Sequence, residues 1–316
     1  IIKAVFWYFF ILAYGAFARA DPPERIVRWW VGSSKASTAN NLELIKQHPR
    51  AFSGVYTYVH AAVGDSGTFT CQYNASALAD LFKPYKDLGL TVTPALGLSN
   101  HSLMTGTAAK NVEQVASFAQ AAKVSGFMLD FEPATSDPAW VHAYAEYVKA
   151  LTKAMHQVGL RAEMCVSSWG ILDGHTVPQG YGVYAATGVD TMMSMAGTYF
   201  GTNVTKDIYN VDQEIKDAVS LRQLVPGVGT MISKDCSVVT PPMGCKAPGG
   251  RCYNWTEPKL RGFVDAMVER GVYQLDFWRA DIDRETNCTE QYYFTVAEQF
   301  MNRSLPSDVS PIADEL

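Results

Sequence analysis

The sequence predicts a single (β/α)8 barrel, and three observations carry that expectation. About eight short apolar runs alternate with helix-like stretches from Arg25 to the end, with no linker between them. Several helical stretches are followed by a glycine that opens the next run, at Gly89, Gly126, Gly159, Gly188 and Gly271, and glycine is the favoured helix stop. With a 20-residue leader-like start set aside from the 316 residues, these units use nearly all of the 296 that remain, which leaves no room for a second domain. The composition, 48% hydrophobic and 18% charged, excludes a disordered or low-complexity chain. A doubly wound open sheet is the competing architecture. It loses ground because no Gly-x-Gly-x-x-Gly or Walker loop follows the first strand.

The elements follow in order. A strand over Ile26 to Val31 precedes a helix near Asn40 to Gln47. The next strand, Gly54 to Ala62, carries Tyr56, Tyr58 and His60 on one face by alternation, and leads to a helix near Ala77 to Leu88. Leu90 to Leu98 leads to a helix over Ala108 to Lys123, and Phe127 to Glu132 leads to a long helix over Pro138 to Val158 that opens on proline. Leu160 to Ser167 is followed by a short glycine-interrupted segment near Val177 to Thr187. Val189 to Met195 leads to a helix over Lys206 to Ser220. Leu224 to Ile232 leads through a cysteine-rich loop to a helix over Pro258 to Arg270. Val272 to Trp278 and a helix near Glu290 to Met301 complete the series.

The two ends read differently. Lys3, the apolar run Ala4 to Ala13 and the small-x-small triplet Ala18-Arg19-Ala20 have the order of a signal peptide over residues 1–20. The apolar stretch is shorter than the roughly 20 residues a membrane span needs, so no stable membrane anchor is expected. The barrel then occupies residues 21–304. Residues 305–316 form a tail ending Ala313-Asp314-Glu315-Leu316, which resembles a retrieval signal that a C-terminal receptor could read. Six Asn-x-Ser/Thr sequons, at Asn74, Asn100, Asn203, Asn254, Asn287 and Asn302, suggest a glycoprotein. Six cysteines suggest disulfides, with pairing expected within Cys236, Cys245, Cys252 and Cys288 and with Cys165 as a plain buried thiol. Cys71 completes the set. The expected location is the lumen of the endoplasmic reticulum or the exterior, with a lysosome-like compartment as the alternative. Loss of the leader takes the net charge from −5 to −7, and no basic patch is visible, so nucleic acid is not an expected partner.

Active sites of such barrels lie at the C-terminal ends of the strands. The fourth strand reads Gly126-Phe127-Met128-Leu129-Asp130-Phe131-Glu132. Alternation sends Phe127, Leu129 and Phe131 toward the helices and Met128, Asp130 and Glu132 toward the barrel axis. Two carboxylates at i and i+2 on an inward face are costly unless one holds a proton, which is the condition of a general acid.

This stretch resembles the fourth-strand signature of glycoside hydrolase family 18, the chitinases and chitobiase-like enzymes: Asp-Gly-apolar-Asp-apolar-Asp-x-Glu. Gly126, the apolar spacing, Asp130 and Glu132 match, while Ser125 and Met128 stand at the first two Asp positions. The resemblance implies a hydrolase of β-linked N-acetylglucosamine oligosaccharides, chitin fragments or the N-glycan core. Glu132 would protonate the glycosidic oxygen, and Asp130 would orient the substrate's 2-acetamido group, which acts as the nucleophile. The family's sixth-strand Met-x-Tyr-Asp is altered here: Met195 is kept, Tyr199 comes two residues late and the Asp is absent. Trp278 resembles the tryptophan that floors the family's sugar site, and it shares a strand face with Gln274 and Asp276.

Trp30 or its neighbour Trp29, Tyr58, Trp169 and Tyr199 fall near strand ends, and an aromatic set of this kind suits a carbohydrate cleft. His60 has no second histidine at ligand spacing, so no metal and no cofactor is expected. Two further readings stay open: a catalytically inactive barrel that binds glycans as a lectin or quality-control protein, and a different retaining glycosidase in which Glu132 pairs with Asp276 or Glu163.

Overall fold

The computed structural model describes residues 25–131, 137–166, 181–195, 203–230, 255–278, 280 and 291–304. The expected barrel is present. The first half runs β1 (Ile26–Val31), α1 (Lys35–Gln47), β2 (Gly54–Val63), β3 (Phe69–Thr70), α2 (Ala75–Asp87), β4 (Thr91–Leu98), α3 (Asn100–Met104), a 3-10 turn (Ala108–Asn111), α4 (Val112–Ala121) and β5 (Gly126–Leu129). The second half runs α5 (Pro138–Gln157), β6 (Arg161–Val166), α6 (Gly182–Ala185), β7 (Thr191–Ser194), α7 (Val204–Lys216), β8 (Leu224–Gly229), α8 (Glu257–Glu269), β9 (Gln274–Trp278) and α9 (Gln291–Met301). Eight strands pair in parallel, and β1 closes the ring by pairing with both β2 and β9. Among the described strands only β3 lies outside the ring, antiparallel to the end of β2.

Strand alternation sorts the buried side chains into two cores. Trp30, Tyr56, Ala95, Met128, Cys165, Met193 and Val225 pack together inside the barrel. Val27, Trp29, Phe127, Leu129, Met164, Met192, Phe277 and their neighbours fill the layer between strands and helices. Trp29 shows the strength of the outer layer: it stacks on Phe277 at 4.4 Å and on Phe294 of α9 at 4.8 Å. Burying side chains of this size stabilises the fold by about 1.5–3 kcal/mol each. At the foot of the barrel the Arg25 guanidinium donates to the carbonyls of Val272 (2.5 Å), Arg303 (2.8 Å) and Ser304 (3.2 Å), tying the start of β1 to the end of α9.

Local departures from the sequence reading have physical causes. Helix α1 starts well before Asn40, because Ser34 caps it by accepting from the Ser37 N–H. Its inner face includes the polar residues Thr38 and Asn41, both buried, so apolar periodicity alone does not reveal its first turns. The helix expected over Ala108 to Lys123 is broken into α3, the 3-10 turn and α4. Four of the five glycines expected as helix stops, Gly89, Gly159, Gly188 and Gly271, have the left-handed backbone of that role. Gly126 does not stop a helix, since Lys123 takes the left-handed turn after α4. Gly126 instead lets β5 and β6 approach closely: a Cβ there would lie 1.9 Å from the Arg161 carbonyl oxygen.

Candidate active site

The barrel interior is built in layers. Lowest is an ionic cluster. Arg28 of β1 donates to the Tyr56 hydroxyl at 2.8 Å and pairs with Glu163 of β6 at 3.3 Å, and Tyr56 donates to the same Glu163 oxygen at 2.6 Å. Arg161 approaches the other Glu163 oxygen at 3.3 Å. Burial opposes the Glu163 charge, but Arg28, Arg161 and the hydrogen bond from Tyr56 outweigh it and hold the carboxyl below its ordinary value. Burial likewise opposes the Arg28 charge, and Glu163, Tyr56 and Asp276 outweigh it in turn, so the guanidinium stays protonated.

Above this cluster the inner core is mainly apolar, with Met128, Met193, Cys165, Ala95 and Val225 around Trp30. Trp30 is 1% exposed and its indole N–H donates to Asp276 at 3.1 Å. Burial pushes the Asp276 carboxyl well above the ordinary range, with the Trp30 N–H and the Arg28 charge pulling the other way.

The mouth lies at the C-terminal ends of the strands. Asp130, one residue past the end of β5, is part-exposed, and its backbone N–H still donates to Leu96 of β4 at 3.1 Å. Tyr58 of β2, 40% exposed, donates its hydroxyl to Asp130 Oδ2 at 2.6 Å. Trp278 ends β9 and is half-buried. Its ring centroid lies 4.9 Å from Trp30 and 5.9 Å from Tyr58, while Trp30 and Tyr58 are 5.0 Å apart. Four strands thus bring one carboxylate, one phenol and two indoles to the same end of the barrel.

The fold is chitinase-like. No protein-family model matches the chain, and no curated protein matches it by sequence. Among solved structures it is similar to a chitinase from Bacteroides thetaiotaomicron, with TM-score 0.65 and 12% identity over 88% of this chain and 97% of that one. It is similar to a glycoside hydrolase family 18 N-acetylglucosaminidase from Paenibacillus barengoltzii, with TM-score 0.60 and 12% identity over 87% and 99% of the two chains. A family 113 β-1,4-mannanase also matches, at TM-score 0.55 and 12% identity over 88% and 98%. At such identities the likeness is one of fold.

Of the residues singled out in the sequence, Asp130, Tyr58, Trp30 and Trp278 come together at the mouth. Asp276 and Gln274 lie beneath, 0% and 1% exposed, with Gln274 donating to the Arg222 carbonyl at 2.5 Å. Glu132, Tyr199 and Trp169 lie outside the described residues, as do the leader, the tail and Cys236, Cys245, Cys252 and Cys288. No disulfide is present among the described residues; Cys71 is a free thiol and Cys165 is buried in the inner core. Trp29 faces the helices rather than the mouth. His60 is exposed, within the stretch of β2 where the register shifts.

Among the described residues no three His, Cys, Asp or Glu side chains converge in a metal-ligating group, and no helix is long and apolar enough to cross a membrane. Arg28 is what the sequence reading missed. The available signal was a charge sharing the inward face of β1 with Trp30, matched by Glu163 on the inward face of β6.

Proposed function

We propose that this barrel is a glycoside hydrolase acting on β-linked N-acetylglucosamine oligosaccharides, with Glu132 as the acid and Asp130 as its partner. The observation that carries the reading is the convergence of Asp130, Tyr58, Trp30 and Trp278 at one barrel mouth. A half-buried indole offers a flat apolar face for a sugar ring. A part-exposed carboxylate, linked to that indole through Tyr58, suits the amide N–H of a 2-acetamido group. In the substrate-assisted course, Glu132 gives its proton to the glycosidic oxygen as that bond to the anomeric carbon breaks. The acetamido oxygen closes on the same carbon, and water then opens the intermediate and returns a proton to Glu132.

The geometry disfavours Glu163 as a nucleophile. It is 1% exposed and already engaged by two guanidinium groups and a phenol. Asp276 is likewise shut beneath Trp30. One observation favours the inactive glycan-binding reading: Met128, where the resembled signature has an aspartate, is fully buried among apolar side chains.

Hydrolysis of an aryl chitobioside separates these readings. The enzyme reading expects turnover by the wild type and a loss of at least about a hundredfold in Glu132→Gln. Equal rates in the two proteins remove Glu132 from the mechanism, and oligosaccharide binding without turnover at any pH supports the lectin-like reading. The secretory route belongs to the same proposal. It is supported by the leader-like N-terminus and by the exposure of Asn74, Asn100, Asn203 and Asn302, the sequon asparagines among the described residues.

A further inference from the structure

The β2 strand does not run regularly to the mouth. Thr57 pairs with Pro94 and Ala61 pairs with Leu96, so β2 spends four residue steps where β4 spends two. Pro94, which has no N–H to give the ladder, stands where the register slips. Within the extra length His60 adopts φ 50°, a left-handed backbone rare outside glycine. Bulges of this kind re-aim side chains, and strained backbone of this kind gathers at functional sites. Tyr58 stands at the start of this extra length, on the inward face that alternation from Tyr56 gives it, where it leans on Trp30 and Trp278 and meets Asp130.

Asp130 has particular need of a lateral partner. Directly below it on the inward face of β5 is Met128, packed against Trp30, Tyr56 and Met193. That apolar layer separates the carboxylate from Arg28 and Arg161. Phe131, the next residue, turns outward onto Trp140 and Tyr144. Among the described residues no donor rises to this carboxylate from beneath, and the Tyr58 hydroxyl beside it is the donor that holds it.

We propose that Tyr58 is the positioning residue for Asp130: its hydroxyl, at the edge of the β2 irregularity, holds Oδ2, so that Oδ1 is the oxygen that meets the ligand. This inference rests on the proposed glycosidase site, where it assigns the holding of Asp130 to β2, two strands away round the barrel from β5. Tyr58 acts through Asp130 and not on the scissile bond.

The test is Tyr58→Phe, which keeps the ring against Trp30 and Trp278 and removes one oxygen. A hydrogen bond to a charged acceptor is worth about 10- to 100-fold in rate when it serves the transition state. The expected result on the aryl chitobioside is a fall in kcat of that size, with KM within about threefold of wild type and the melting temperature nearly unchanged. Crystal structures of wild type and variant supply the second readout, in which Asp130 leaves its wild-type rotamer once the phenol is gone. An Asp130 rotamer identical in the two proteins overturns the inference whatever the rates do, and an unchanged kcat overturns it as well. If the wild type hydrolyses no substrate, the glycosidase reading falls, and the Asp130 rotamer still decides what Tyr58 does.

Discussion

Glu163 and Glu214 are both fully buried glutamates, 1% and 0% exposed, and their surroundings drive them in opposite directions. Glu163, inside the barrel, lies between Arg28 and Arg161 and accepts from Tyr56, and it is held below its ordinary value although burial works against its charge. Glu214, outside the barrel on the inner face of α7, accepts from the Ser194 hydroxyl and meets no cation among the described residues. Burial pushes it up to about 8, with the Ser194 hydrogen bond and the nearby Tyr181 hydroxyl opposing and the Asp217 charge adding to the rise. Asp207, two turns earlier on the same helix, is also buried and is pushed up to about 7, against Lys206 and Lys259. Burial thus sets the size of the penalty, and the charge of the neighbours decides whether the group stays ionised.

The comparison breaks most severely at Arg28. Arg28→Met leaves Glu163 buried with only the more exposed Arg161, and removing one partner of a buried pair costs about 3–5 kcal/mol. A loss near the lower end is expected, because Arg161 remains. Urea unfolding at pH 7 measures it, and a loss below about 1 kcal/mol would show that the pair carries little of the barrel's stability.

The two glutamates also give stability opposite slopes against pH. Glu163, lowered in the folded state, contributes stability that is present above its ordinary value of 4.5 and is lost as pH falls through its folded value. Glu214, raised from 4.5 to about 8, contributes stability that is complete below 4.5 and drains away as pH rises toward 8. Over that window the slope is at most about 1.4 kcal/mol per pH unit from one group. Glu214→Gln keeps an acceptor for Ser194 and cannot ionise. Its melting temperature is expected to match wild type near pH 5 and to exceed it by a widening margin toward pH 8. Parallel pH curves for the two proteins would mean that Glu214 is not neutral in the fold.

How much of this was legible follows from what each feature asks of the sequence. The barrel was legible because every strand–helix unit repeats the same apolar pattern and four glycines mark helix ends. The faces of β5 were legible for the same reason: period two sends Phe127 and Leu129 to the helices and Met128 inward. The β2 bulge was not, since alternation assumes an unbroken ladder, and only Pro94 on the neighbouring strand hints at the slip. Helix α1 hid its start behind buried Thr38 and Asn41. Asp130 and Trp278 were found from one strand each, but the Tyr58–Asp130 hydrogen bond joins residues 72 positions apart, and no local pattern encodes it.

The smallest expected effect concerns the layer between the ionic cluster and the mouth. Met128 touches neither by a polar group; its neighbours Trp30, Tyr56, Ala95, Cys165, Met193 and Val225 ask only that it fill space. A volume-conserving exchange in such a core costs less than about 1.5 kcal/mol. Met128→Leu is therefore expected to lower the melting temperature by a few degrees at most and to leave kcat and KM for an aryl chitobioside within about twofold. A tenfold loss of kcat at unchanged stability would sink this view, because it would mean that the thioether itself shapes Asp130 or its ligand. With Met128 silent and Tyr58→Phe impaired, support of the site carboxylate comes from beside it, across β2, and not from beneath it along β5.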